Sequence, residues 1–451
     1  MRLPPLLLPI VPVLACMALA SAPAHAQDPA AGDTAPEDTP AAPNDPQAAL
    51  ADRGGEGATV PLDQIRRYVS VFNMVREAYV EPVDDSELME AAIRGLLSDL
   101  DPHSAYLEHG DSEDLMDRTR GAYDGIGVEL MRQDDGTLRV IAPIDDTPAA
   151  RAGIKAGDII VAIDGTPVAG SDPSSDPLRG APGTEVVLTI LREGEQAPLD
   201  ITVVRDTIRV ASVRGRMLEP GYGYIRISMF QADTGADFAR ELDALLARGG
   251  GSLDGLVIDL RSNPGGLLTT AVQVADELLE KGTIVSTRGR LAISDTRFTA
   301  TPGDRLGGAP VVVLVDAGSA SASEVLAGAL QDNGRARVVG SRTFGKGSVQ
   351  TALPLDNGDT VKLTTARYYT PSGNSIQALG IQPDVVLQPD EVTDGHPARV
   401  SEAVLAGHLD AEGEVVAELE PGNVLEGQAP IDAALAELKR MTSDAVTNRT
   451  G

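Results

Sequence analysis

The sequence predicts an α/β core that carries a smaller β-rich unit, with helices flanking both. Three observations predict it. From about residue 207, apolar strand-like runs alternate with helix-period segments, the order that builds a sheet with crossover helices. Between about 119 and 206 the pattern changes to short β-branched runs broken by Gly and Pro turns. Outside both, apolar residues recur at helical spacing around residues 65–72 and 431–438.

The chain has 451 residues and 42% apolar content, enough for several cores. Its net charge of -30 weighs against nucleic acid as a partner, because phosphate binding needs clustered Lys and Arg. Residues 1–26 read as a secretory signal. Arg2 is followed by the apolar stretch Leu3–Leu19, and Ala24-His25-Ala26 is a small-residue cleavage pattern. Prolines at 4, 5, 9 and 12 argue against a spanning helix. Cys16 is the only cysteine and would leave with the signal. Val13-Leu14-Ala15-Cys16 fits a lipoprotein cleavage site poorly. The expected compartment is the periplasm of a Gram-negative bacterium.

Residues 27–60 are rich in Ala, Pro and Asp and lack periodicity, as a disordered linker does. A helical region follows over 61–118. Ile65, Tyr68, Val69 and Phe72 share one helix face, and Leu88, Ala92, Leu96 and Leu97 share another. Asp101-Pro102-His103-Ser104 ends the second helix. Whether these helices pack on the core or on a second copy of the chain is left open.

Residues 119–206 open with Gly125-Ile126-Gly127-Val128 and include a strand that ends in the Asp164-Gly165 turn. With Ala152-Gly153-Ile154-Lys155-Ala156-Gly157-Asp158, the segment resembles a PDZ domain. The resemblance implies that Gly125, Ile126, Gly127 and Val128 capture a peptide's terminal carboxylate. The peptide itself would add as a strand to the sheet edge.

Strands at Tyr222–Ser228, Leu256–Leu260, Val311–Val315, Arg337–Val339 and Val361–Tyr369 alternate with helical runs at Phe238–Leu246 and Leu267–Leu279, giving a core over 207–387. Asp259 and Arg261 flank a strand end before Gly265-Gly266, which suggests a loop whose amides face a site. Residues 388–451 form an acidic region. There Ile431, Ala434, Leu435 and Leu438 mark a helix that serves either as a docking helix or as a contact with a second copy.

One stretch, Val311 to Gln350, organises the core. An apolar strand runs into a turn at Asp316-Ala317-Gly318, then into Ser319-Ala320-Ser321-Ala322-Ser323 and a helix-like pattern at Glu324–Leu330. This order puts a side chain at the top of a sheet, beside the free amides of a helix N-terminus. Lys346 follows, between Gly345 and Gly347. The five histidines are His25, His103, His109, His396 and His408, so none lies between 119 and 387. A Ser-His-Asp triad built within that core is therefore excluded. H-E-x-x-H is absent, and no cysteine follows the signal. A serine activated by a neutral lysine remains. Burial would lower the Lys346 pKa, and Gln350 could orient its amine. On residues alone Ser319, Ser321 and Ser323 compete as nucleophile.

At Gly318–Glu324, Thr343–Gln350, Asp259–Gly266 and Tyr368–Gly373, the chain resembles the carboxyl-terminal processing proteases, also called tail-specific proteases. Leu100–Ser104 fits the helical region that precedes the PDZ domain in that family. The resemblance implies a crotonase/ClpP-like spiral α/β core with an inserted PDZ domain. It implies Ser321 as nucleophile, Lys346 as general base and Gln350 as its support. Ala322 and the Gly265-Gly266 loop would supply the oxyanion hole. It also points to Asp332, whose charge beside Lys346 would oppose the lysine's use as a base. Arg179 matches an arginine that links peptide binding to activation. The expected activity is ATP-independent serine endopeptidase, acting on proteins with free C-termini and needing no cofactor. An activating lipoprotein adaptor and a homo-oligomer complete the expected partners. The rival reading is a non-catalytic PDZ adaptor or chaperone of the same fold.

Overall fold

The computed structural model describes residues 60–133, 135–144, 146–169, 177–388, 401–412 and 420–450. The signal-like segment and nearly all of the expected linker lie outside these residues.

The core sheet has six strands, in the order Val213–Glu219, Tyr222–Ile227, Gly255–Asp259, Val311–Val315, Ala336–Gly340 and Val385–Val386. The first pair is antiparallel and the others are parallel. Gly255–Asp259 and Val311–Val315 are buried at every position, as central parallel strands covered on both faces must be. Alternate side chains therefore serve two cores. Ile258, Val311, Val313 and Val315 pack with residues of the helices Thr234–Arg248, Leu268–Asp276 and Ala322–Asp332, including Phe238, Val274 and Leu326. Val257, Val312, Leu314 and Val339 pack on the opposite face with Ile431, Ala434 and Leu438 of the helix Ala429–Thr450. The C-terminal helix thus docks on its own sheet.

A second sheet stands beside the first. Its longest strand, Thr360–Tyr369, pairs antiparallel with Ser348–Pro354, Ala105–Leu107 and Thr283–Gly289, and the last of these pairs with Thr296–Thr299. Of these strands the sequence predicts only the longest, as Val361–Tyr369. The others are short or are interrupted by adjacent polar residues, such as Ser286-Thr287-Arg288 and Gln350-Thr351, which weakens the apolar signal. This sheet ties the N-terminal region to the core through Ala105–Leu107.

The β-rich unit is an antiparallel sheet ordered Val128–Arg132, Leu138–Pro143, Ile159–Ile163, Glu185–Leu191 and Leu199–Val204, with Thr166–Pro167 paired to Ile159–Ile163. Ile126, Val140, Ile160, Leu188 and Ile190 form its own core. Asp164 and Gly165 have φ of 47° and 76°, the pair of left-handed residues that a tight hairpin needs. Among the described residues Val128–Arg132 is an edge strand, free to accept another. The helix Leu62–Ala78 buries none of its residues, and Leu62, Ile65, Val69 and Met74 are exposed.

Candidate active site

The strand Val311–Val315 delivers the chain to a knot of buried hydrogen bonds. Asp316, fully buried, accepts the amides of Ser262 (2.8 Å), Gly318 (2.9 Å) and Leu425 (3.1 Å). Ser319 Oγ donates to the Leu260 carbonyl at 2.8 Å, and Ser323 Oγ to the Asn263 carbonyl at 3.0 Å. These two hydroxyls are committed to holding adjacent loops together. Ser321 lies between them at the helix N-cap, with φ 56° and ψ -115°. A non-glycine residue there stores strain of about 1–3 kcal/mol and persists only where its surroundings enforce it.

Glu324 is what enforces it. Its side chain is fully buried. Oε2 accepts the Ser321 amide at 2.7 Å and the Lys346 amide at 2.9 Å. Oε1 accepts the Gly345 amide at 2.7 Å and the Thr343 hydroxyl at 2.5 Å. One oxygen atom therefore binds the backbones of both Ser321 and Lys346, which cannot be further apart than two hydrogen bonds. Burial pushes the Glu324 carboxyl up to about 7, against the lowering effect of the four donors.

The loop after Gly255–Asp259 closes over the serine. Asp259, buried, is gripped by Arg261 (2.7 Å) and the Tyr224 hydroxyl (2.8 Å). Asn263 Oδ1 accepts the Gly265 amide at 2.9 Å. That N–H is therefore spent, whereas among the described residues neither the Ala322 nor the Gly266 amide finds an acceptor. Of the three amides expected at an oxyanion hole, those of Ala322 and Gly266 are free to donate and that of Gly265 is not. Gly265 has φ 100°, and a Cβ there would lie 2.8 Å from Ser321 Cβ and 3.0 Å from Ala322 N. Gly265→Ala is expected to lower kcat about 10²-fold or more, the scale of losing one oxyanion donor, with KM little changed. Steady-state kinetics on a peptide substrate check it.

Lys346 lies in the extended loop that leads to the strand Ser348–Pro354. Burial and, next, the Lys362 charge hold its amine below the ordinary lysine range, while Glu402, Glu324 and Asp101 pull the other way. Gln350 Nε2 donates to Ser348 Oγ (3.0 Å) and Thr364 Oγ1 (3.3 Å), so its amide braces the two strands beside the lysine loop. Asp332 lies at the far end of the helix that Ser321 caps. Its Oδ2 accepts the Ser372 amide (3.0 Å) and hydroxyl (2.6 Å), so it tethers a loop away from Lys346.

In the β-rich unit, Gly127 has φ 74°, and a Cβ there would lie 2.4 Å from Thr147 Cβ. The Ile126 carbonyl accepts the Ala149 amide, and the Gly127 carbonyl accepts the Ile144 amide and the Thr147 hydroxyl. The loop is thus anchored at the head of the edge strand that Val128 begins. Arg179 leaves this unit. It pairs with Asp114 (2.7 Å) and Asp117 of the helix His109–Arg120 and lies over the Tyr123 ring.

Sequence reasoning gave no role to Glu324 or Tyr368, although both fall inside quoted motifs. Ser321-x-x-Glu324 is a capping-box pattern, so a signal for Glu324 existed. Tyr368 is buried, its phenol pushed up to about 12 by that burial, and its hydroxyl neighbours the Ser321 side chain. No local pattern announces that contact.

Residues 221–387 match peptidase family S41, residues 125–203 match a PDZ domain, and residues 36–111 match the N-terminal domain of the activating protease CtpB. Fold and site thus define a serine-type peptidase that carries a PDZ domain. A carboxy-terminal-processing protease of Bartonella bacilliformis is 45% identical, over 78% of this chain and 82% of its own. The carboxy-terminal processing protease CtpB of Bacillus subtilis is 36% identical, over 74% and 69%. A carboxyl-terminal-processing protease of Synechocystis is 38% identical, over 70% and 75%. The chain belongs to the carboxy-terminal processing proteases of peptidase family S41.

Proposed function

We propose that this protease cleaves proteins near their C-termini, in the periplasm, by a Ser321–Lys346 dyad acting through an acyl-enzyme. The observation that carries the reading is the Glu324 oxygen shared by the Ser321 and Lys346 amides. Neutral Lys346 takes the Ser321 hydroxyl proton as Oγ bonds to the scissile carbonyl carbon. The oxyanion is received by the Ala322 and Gly266 amides. The ammonium then protonates the leaving amine, which departs as the acyl-enzyme forms. Water, deprotonated by the same lysine, releases the acyl group and restores the serine. The tail adds to the edge strand Val128–Arg132, with its carboxylate at Gly125-Ile126-Gly127. The signal-like N-terminus supports the compartment. The exposed apolar face of Leu62–Ala78 supports a homo-oligomer, and the match to an activating-protease domain leaves room for an adaptor.

The test incubates an unfolded protein that has an apolar C-terminus with wild type and with Ser321→Ala. Wild type is expected to cleave it and to be labelled by a serine-directed fluorophosphonate. Ser321→Ala is expected to do neither, and equal cleavage by both would end the reading. The pH dependence gives a second check. Activity should appear as pH rises through the Lys346 pKa. Lys362→Met removes the charge that helps hold that pKa down, so the acid limb of kcat/KM is expected to move to higher pH.

A further inference from the structure

We propose that His103, Glu402 and Gln377 form a positioning bracket that, together with Glu324, holds the Lys346 loop and ties it to the N-terminal region. The proposal rests on Lys346 being the base.

Glu402 is fully buried, in a segment remote in sequence from the strands of the site. Its amide donates to the Phe344 carbonyl at 2.9 Å, so the segment lies on the lysine loop. Its Oε1 accepts Gln377 Nε2 at 2.9 Å, and Gln377 Oε1 accepts the Gly347 amide at 3.0 Å. Both neighbours of Lys346 are thus pinned by buried side chains, Gly345 by Glu324 and Gly347 by Gln377. His103 Nε2 reaches Glu402 at 2.8 Å and 3.0 Å. Asp101 sets the histidine by accepting the amides of His103 and Ser104, each at 2.9 Å. Asp101 also accepts Thr364 Oγ1 at 3.0 Å, and Thr364 in turn accepts Gln350 Nε2. The bonds run from Gly347 through Gln377, Glu402, the 101–104 turn and Thr364, and return to the chain at Gln350. The histidine lies outside 119–387, so scanning the core for histidines could not find it.

A buried ionisable pair is a weak source of stability, and apolar residues of similar volume often do as well. Its use here is local. Burial raises the Glu402 carboxyl, but the His103 and Gln377 hydrogen bonds, with the His103 and Lys346 charges, outweigh that and keep it below the ordinary range. The groups facing Lys346 are Lys362 on the strand Thr360–Tyr369, Glu402 on the C-terminal segment, Glu324 on the helix and Asp101 on the N-terminal turn. His103 and Lys346 face Glu402. The bracket therefore holds the backbone at Phe344 and Gly347, on either side of Lys346, and supplies one of the charges that face the amine.

The experiment uses the full chain and a peptide substrate. It measures kcat, KM and Tm across the pH range for wild type, Glu402→Gln, Glu402→Ala, His103→Gln, His103→Ala and Lys346→Met. Glu402→Gln keeps the volume and one acceptor oxygen for Gln377 but loses the charge, so the acid limb is expected to shift to lower pH. Glu402→Ala and His103→Ala are expected to lower kcat about tenfold or more with KM little changed, the signature of misplaced chemistry rather than lost binding. His103→Gln is expected to restore most of the loss seen in His103→Ala. An unmoved limb in Glu402→Gln, or kcat losses that simply follow Tm, overturns the bracket. An active Lys346→Met would overturn the base assignment instead, so the two failures are distinguishable.

Discussion

Lys346→Met is expected to lower kcat/KM by about 10²–10⁴-fold, the usual contribution of a positioned general base, while the protein becomes no less stable. Both parts follow from the environment of the amine. The Lys346 backbone amide, not its side chain, bonds to Glu324, so the substitution leaves the scaffold intact. Burial, then Lys362, depress the lysine pKa. A lysine depressed in the folded state contributes stability at high pH and loses it as pH falls through the folded value. At neutral pH the group therefore opposes folding, and an apolar side chain of similar length removes that cost. Tm should hold or rise as activity disappears. A fall in Tm that matches the activity loss would show Lys346 to be a structural residue.

Glu324→Ala is expected to remove both stability and activity. It leaves the buried amides of Ser321, Gly345 and Lys346 and the Thr343 hydroxyl without their acceptor. Each unsatisfied group costs about 1–3 kcal/mol, a sum comparable to the whole stability of many domains. Glu324→Gln keeps the volume but turns a donor towards donors, so it too should unfold at lower temperature and resist fluorophosphonate labelling. The wild-type pH dependence carries a sign. A carboxyl raised from 4.5 to about 7 contributes stability that is fully present below about 4.5 and lost as pH rises through about 7. The Tm difference between wild type and Glu324→Gln should therefore narrow over that window. A constant difference would mean that the carboxyl does not titrate there.

Legibility differed from residue to residue. Val311–Val315 was plain because a run of β-branched residues buried on both faces leaves no other reading. The three serines were not separable by spacing, because each sits in the same small-residue stretch. Their hydroxyl partners separate them: Leu260 takes Ser319 and Asn263 takes Ser323, while Ser321 keeps a strained backbone and a hydroxyl beside Tyr368. Gln350, expected to support the lysine, donates its side-chain amide to Ser348 and Thr364, at a point where the register of its strand shifts. The C-terminal helix showed its apolar face in sequence but not its partner.

The sequence by itself determined the family, the alternation of strands and helices, and which residue types could do chemistry, because these depend on local pattern and on the inventory of side chains. The tertiary structure alone decided which backbone amides are free, which carboxylate joins Ser321 to Lys346, and that His103 and Glu402 meet beside the lysine loop. Those facts depend on hydrogen bonds between segments up to 299 residues apart, and a one-dimensional pattern carries no record of such closures.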